Sequence, residues 1–254
     1  NVANIGATTG LINNTSALTS TASTNTNGTA VTVYAGETVT LPAETMSTGT
    51  LSNYNTVLSC TADSGATANS LSGTNGQNSN TLTIGAGDEG KVITCTYTNT
   101  RITQSLSLAK QWTNAANGHT ATVTTTGGTN NATVNSTSTG NNLTTGTAVT
   151  VYAGDVVTLP AETFGGGASA SDYNTTLACT GGTTLSSGAV GRSMTISNSG
   201  TPTTCTYTNT RKSATFRLAK AWGANSISGN VANIGATTGL INNTSALTST
   251  ASTN

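Results

Sequence analysis

Apolar and polar residues alternate along this chain with a period of two, and no stretch carries a helical period. Leu106, Leu108, Lys110 and Trp112 share one face of a predicted strand, and Ala214, Phe216, Leu218, Lys220 and Trp222 share another. Ile93, Cys95, Tyr97 and Asn99 line one face of a third, with Thr94, Thr96 and Thr98 behind them. Val31/Val33 and Val39/Leu41 flank Ala35-Gly36, a pattern that predicts a hairpin or a short connection. Gly- and Asn-rich stretches at Gly127–Asn131 and Gly165–Gly167 punctuate the rest. Many short strands separated by turns predict an all-β protein built as β-sandwiches.

The pattern repeats on two scales. Asn230–Asn254 duplicates Asn1–Asn25 letter for letter, at a period of 229 residues. This reads as a window cut from a longer tandem array. Inside that period Val31–Thr45 returns with two changes as Val149–Thr163, Cys95–Arg101 returns as Cys205–Arg211, and Leu108–Trp112 returns with one change as Leu218–Trp222. Each unit is thus about 110 to 120 residues, the size of a small domain. If the Leu-Ala-Lys strand opens a unit and the Cys-Thr-Tyr strand closes it, three parts follow. Residues 1–103 lack their first strand, residues 104–213 are complete, and residues 214–254 begin a third unit. The few residues between Arg101 and Leu106 are too short for a flexible linker, so a rod-like array is expected.

Composition narrows the function classes. Only 6% of residues are charged and the formal net charge is zero, so nothing could neutralise a run of nucleic-acid phosphates. No apolar run approaches the roughly 18 residues of a membrane span. Abundant Thr and Val argue for folded strands over disorder. Cys60 and Cys95 fall in one unit, Cys179 and Cys205 in the next. One pair per unit favours two disulfides within domains and an oxidising compartment, with buried thiols as the other reading. No Cys-x-x-Cys occurs and His119 is the single histidine, so neither a metal nor another cofactor is expected.

The informative chemistry is a lysine on a core face. Lys110 and Lys220 each share a strand face with Leu and Trp, where a lone ammonium is costly. Candidate partners recur in both units: Glu44 and Glu162 after Val-Thr-Leu-Pro-Ala, and Asn99 and Asn209 on the cysteine strand. Glu44 is one residue out of phase with Val39, Leu41 and Ala43, and Glu162 stands likewise after Ala161. A bulge at Pro42 and Pro160 would restore the direction, and without one each Glu is expected to point to solvent. An ion pair, or a lysine whose head escapes at a sandwich edge, is the plain reading.

A first strand carrying Lys, a middle acidic residue and a last strand ending Thr-Asn-Thr resemble the CnaB-type, SpaA-like prealbumin-fold modules of bacterial surface proteins. The extra middle cysteine and the Cys-Thr-Tyr-Thr-Asn ending resemble the disulfide-bearing version found in large exoproteins. The resemblance implies tandem Ig-like β-sandwiches in a surface-anchored or secreted fibre or adhesin stalk, with neighbouring repeats as partners through lateral or head-to-tail association. It also implies an intramolecular isopeptide bond, with Lys110 as nucleophile, Asn209 as electrophile and Glu162 as proton shuttle. Glu44 and Asn99 would then await a lysine from a preceding repeat, and Lys220 would serve the next unit. This is a single turnover, so no enzyme acting on an external substrate is expected.

Other readings are weaker. Trp112 and Trp222 could stack on carbohydrate, which would make this a binding module, but their alternating apolar strands place them in the core. His119 reads as a turn residue. Asp63 and Asp88-Glu-Gly90 lack the ligand ladder of a calcium loop. Sequons such as Asn14 and Asn131 are expected by chance in this composition. Thr120–Thr124 resembles an ice-binding hydroxyl array without its short fixed spacing. A polymer in which one chain's terminal strand completes the next chain's first unit is a third reading, weakened because residues 230–254 would compete with residues 1–25.

Overall fold

Strands that bury alternate residues need a second sheet to cover them, and each domain supplies one. The computed structural model describes residues 1–64, 74–75, 80–240 and 242–252. It divides into two compact units, Asn1–Arg211 and Lys212–Asn254.

The first unit holds two domains. The first comprises β1 (Val2–Ile5), β2 (Leu18–Thr21), β3 (Thr38–Leu41), β4 (Glu44–Thr48), β5 (Tyr54–Ala62), β6 (Thr74–Asn75), β7 (Asn80–Thr83) and β8 (Ile93–Arg101). The second comprises β9 (Thr103–Thr113), β10 (Thr120–Thr124), β11 (Thr133–Thr137), β12 (Leu143–Thr145), β13 (Val149–Tyr152), β14 (Val156–Leu159), β15 (Thr163–Gly165), β16 (Tyr173–Gly181), β17 (Leu185–Gly188), β18 (Arg192–Thr195) and β19 (Thr203–Arg211). In the second unit, described by itself, β20 (Val231–Ile234) pairs with β21 (Leu247–Thr250).

In the second domain one sheet runs β12-β9-β19-β16-β17, with β13 also pairing β9. Its first strand β9 lies parallel to its last strand β19. Strands β11-β10-β15 and β14-β18 form the opposite layer, tied by a bridge between Thr126 and Thr158. Leu106, Leu108, Cys205 and Tyr207 meet Val123, Val134, Val157, Leu159 and Met194 between the layers. The first domain repeats the plan with β2-β1-β4 and β3-β7 facing β6-β5-β8. Among its described residues there is no counterpart of β9, so β8 pairs on one side only, and the core cluster consists of Val39, Leu41, Leu58, Cys60, Leu82 and Ile84.

Two strand expectations fail for the same reason. Residues 31–34 match β13 in sequence but form no strand, because β13 pairs with β9 and no such partner lies among the described residues of the first domain. Residues 214–222 alternate well but also form no strand, because no counterpart of β19 lies among the described residues of their unit. The second-domain counterpart of the Ala35-Gly36 turn, Ala153-Gly154, is a connection between layers: β13 joins one sheet and β14 joins the other. Cys60–Cys95 and Cys179–Cys205 are disulfides between directly opposed residues of β5/β8 and β16/β19. Each stabilises its domain by about 3.5–4 kcal/mol on the chain-entropy account.

Candidate functional site

Strand β9 is buried at every second position, which puts Leu106, Leu108, Lys110 and Trp112 on the inner face at 0% exposure. Its parallel ladder sets Leu108 beside Cys205, Lys110 beside Tyr207 and Trp112 beside Asn209. Asn209 is therefore the diagonal neighbour of Lys110 on the same face, within the span of a long side chain. Asn209 is itself fully buried, and neither its Nδ2 nor its Oδ1 has a hydrogen-bond partner. An orphaned carboxamide in a core costs free energy, which marks the position as built for something other than packing.

Glu162 comes from the opposite layer. Strand β14 ends at Leu159 and β15, in a different ladder, begins at Thr163, so the chain changes partners across Pro160–Glu162. This change resets the side-chain phase without a bulge. Pro160 has no N–H to offer a ladder, and its carbonyl accepts from Tyr207 Oη at 2.9 Å. The Glu162 side chain turns inward, 1% exposed, with Oε1 3.1 Å from Lys110 Nζ. Lys110 Nζ also donates weakly to the Tyr207 and Gln111 carbonyls, both at 3.4 Å, and sits 4.4 Å from the centre of the Trp112 ring.

The electrostatics make the amine easier to deprotonate. Burial lowers the Lys110 ammonium from 10.5 to about 8, with the Glu162 charge pulling the other way. The Tyr207 phenol is pushed up by burial and by the same carboxylate. A buried amine that loses its proton easily, an acceptor for that proton and an unpaired carboxamide thus share one apolar pocket.

The first domain holds the same pocket without a lysine. Glu44 is 5% exposed and accepts from Asn99 Nδ2 at 2.8 Å through Oε1. Its pKa is raised by burial, against the lowering by that hydrogen bond. Chain redirection at Pro42 mirrors Pro160: its carbonyl accepts from Tyr97 Oη at 2.6 Å, and the Tyr97 phenol is pushed up to about 12 by burial and Glu44. In the second unit Lys220 Nζ lies 4.2 Å from the Trp222 ring centre, the pose of Lys110 over Trp112.

The remaining candidates find quieter places. Trp112 is fully buried, donates to Ser136 Oγ at 3.0 Å and packs edge-on to Phe164 and Tyr173, so it offers no face to a sugar. Trp222 is half-buried against Ser249. His119 follows a turn and its Nδ1 meets Tyr173 Oη at 2.6 Å. Asp63 accepts from Val92 N at the end of the β5/β8 ladder, and Asp88 closes a turn by accepting from Gly85 N. Sequence reading missed the junction of the two domains, where Arg101 pairs with Asp155. The signal was there: an arginine ends both cysteine strands, and an acid follows both Tyr-Ala-Gly turns.

A family model described as a prealbumin-like fold domain, of the SpaA type, matches residues 1–101 and again residues 102–211. Among solved structures, the chain is similar to the major pilin T3.2 of Streptococcus pyogenes, at 11% identity and a TM-score of 0.35 over 69% of this chain and 67% of that one. It is similar to the T-13 major pilin of the same organism at 12% identity and a TM-score of 0.36, over 83% and 90%. Against curated proteins the comparison finds no significant match.

Proposed function

We propose a mechanical role for this chain, which belongs to the SpaA-type prealbumin-like fold family: it is a structural segment of an extracellular fibre or stalk whose complete domain locks itself with an isopeptide bond. The observation that carries this is the buried trio of Lys110, Glu162 and Asn209, with the Asn209 carboxamide unpartnered. Two disulfides support an oxidising setting, and the neutral, hydroxyl-rich surface suits a molecule without charged ligands.

The chemistry balances without an added reagent. Lys110 passes a proton to Glu162 and becomes a neutral nucleophile. Its Nζ attacks Cγ of Asn209, and the new C–N bond forms as the carbonyl electrons shift to oxygen. Glu162 returns the proton to the departing nitrogen and takes the second Nζ proton as the amide carbonyl reforms, and the nitrogen leaves as ammonia that carries this last proton away as ammonium. The product ties β9 to β19, the first strand to the last. Pulling on the two ends then loads a covalent bond in place of a ladder, and force-driven unfolding of that domain is blocked. The reaction occurs once per domain and has no external substrate.

Intact mass of the purified chain, before and after disulfide reduction, tests this together with peptide mapping around Lys110 and Asn209. The expected result is loss of one ammonia with those two peptides joined, and retention of that ammonia in a Glu162→Gln chain. A mass short of only the disulfide hydrogens would demote Lys110 to a buried ion pair.

A further inference from the structure

A carboxylate that accepts no hydrogen bond is aimed by its backbone. Neither oxygen of Glu162 has a hydrogen-bond partner, and its one polar neighbour is the Lys110 ammonium that it has to serve, at 3.1 Å. The direction of its side chain is settled just before it, where β14 has ended at Leu159 and the chain has yet to join β15 at Thr163. There the Pro160 carbonyl accepts from Tyr207 Oη at 2.9 Å.

Tyr207 stands where one side chain can tie the two layers together at the reacting groups. It lies between Cys205 and Asn209 on the inner face of β19, and beside Lys110 on the parallel strand β9. Its side chain is fully buried and crosses the core to the opposite layer. Burial and the Glu162 charge both push the phenol up, so it keeps its proton and serves as a donor. The proton of Lys110 is therefore left to Glu162.

The first domain separates this tie from the other forces on the glutamate. Glu44 also faces inward, but its Oε1 accepts from Asn99 Nδ2 at 2.8 Å. Glu162 has the lysine and no bond from Asn209, whose Nδ2 and Oδ1 are both unpartnered. The heads of the two glutamates are thus held differently, while the approach to them is the same. In each domain the tyrosine two residues before the asparagine donates to the carbonyl of the proline two residues before the glutamate. Tyr97 Oη reaches Pro42 O at 2.6 Å, as Tyr207 Oη reaches Pro160 O.

We propose that Tyr207 is a positioning residue for the crosslink: its O–H, acting through Pro160, holds Glu162 toward Lys110 and Asn209. The role rests on the isopeptide reading and adds to it the group that keeps the proton shuttle in place. A shuttle has to stay within hydrogen-bond reach of both nitrogens, so a chain free to turn Glu162 outward is reactive for only a fraction of the time. The rate falls by that fraction. Losing one such hydrogen bond corresponds to roughly a threefold to tenfold change in the balance.

The test makes the full chain and its Tyr207→Phe variant by cell-free synthesis under oxidising conditions, with samples quenched in acid at intervals and weighed intact. Ammonia loss is expected to be roughly threefold to tenfold slower in Tyr207→Phe and unchanged in Tyr97→Phe, which removes the same bond from the first domain. Equal rates with and without the Tyr207 hydroxyl, or equal slowing by Tyr97→Phe, overturn the proposal. A second readout separates aiming from packing. In an Asn209→Ala chain, which cannot crosslink, burial lowers Lys110 to about 8 while Glu162 pulls it upward. Adding Tyr207→Phe is expected to lower the lysine further, because Glu162 turns away. A loosened core would instead admit water and move it back toward 10.5, and that result, or an unmoved titration, overturns the proposal. Nuclear magnetic resonance of the lysine side chain reads the titration. It needs no crosslink, so it decides whether Tyr207 aims Glu162 even where the unaltered chain keeps its ammonia and the isopeptide reading fails. Should Tyr207→Phe not fold, lactic acid in place of Ala161 turns the Pro160 carbonyl into an ester, a weaker acceptor, with every side chain retained, and the same outcomes apply.

Discussion

The second domain and the first have nearly the same motifs, yet one is closed and the other open. Strand β19 is flanked on both sides and buries Cys205, Tyr207 and Asn209 completely; β8 is flanked on one side and leaves Cys95, Tyr97 and Asn99 half-buried. The residues of β13 form a strand, while the identical residues 31–34 do not. The parallel neighbour that β9 gives β19, which no described strand gives β8, accounts for all of this. Local sequence sets which residues alternate, but a strand exists only where a partner satisfies its backbone. The second unit makes the complementary point, since residues 214–222 have the pattern of β9 and no ladder.

Replacing the tryptophan of the first strand should break the contrast most sharply. Trp112→Ala empties a pocket walled by Phe164, Tyr173 and Ala121, and should cost about 3–5 kcal/mol in the second domain. Trp222→Ala, at a half-buried site in the second unit, should cost about 1 kcal/mol or less. Opening free energies from native-state hydrogen exchange, read strand by strand, would measure both. Equal costs would mean that closure adds nothing to the packing of this side chain.

The disulfides sharpen the comparison next. Removing either should cost its domain about 3.5–4 kcal/mol, because the loops they close are of similar length. Access differs: Cys205 is 0% exposed within a closed sheet, while Cys95 lies half-buried on an open edge. Under native conditions dithiothreitol should therefore reduce Cys60–Cys95 first, and differential alkylation with mass mapping would show the order. Simultaneous reduction would indicate that the edge of β8 is covered in solution.

Much of this architecture was legible in the sequence, and its gaps have a physical cause. Period two identified the inner face of β9, lysine included, because alternation is a local property of a strand. One cysteine pair per unit pointed to disulfides within domains, and these are formed. The direction of Glu162 was not legible, because it depends on where the chain leaves one ladder for another, and alternation continues across that break only if the ladder does. The parallel pairing of first and last strands was equally hidden, being a contact between residues about a hundred positions apart. Arg101 escaped notice because its partner Asp155 lies in the following domain, beyond any local pattern.

The gentlest contrast is in pH, where the two pockets should respond with opposite sign. In an Asn209→Ala chain, which keeps Lys110 and Glu162 but cannot crosslink, the native lysine titrates near 8 and the unfolded one near 10.5. Between those values the unfolded state binds more protons, so the second domain should gain stability as pH rises from about 8 to 10, before tyrosines titrate in the unfolded chain. Below 8 both states hold the proton and this group contributes no slope. Glu44 behaves inversely: burial raises it above 4.5, so the native state keeps a proton that the unfolded state has lost. The first domain should then lose stability as pH climbs from 4.5 through the raised native value. Denaturant midpoints read separately on β8 and β19, with labelling at a fixed pH, would resolve the two slopes. A flat profile for β19 above pH 8 would mean that Lys110 keeps its ordinary basicity, which would remove the neutral nucleophile that the crosslink requires. A flat profile for β8 on the acid side would mean that the Asn99 hydrogen bond already offsets the burial of Glu44, and the open pocket would then hold a charged carboxylate ready for an incoming lysine.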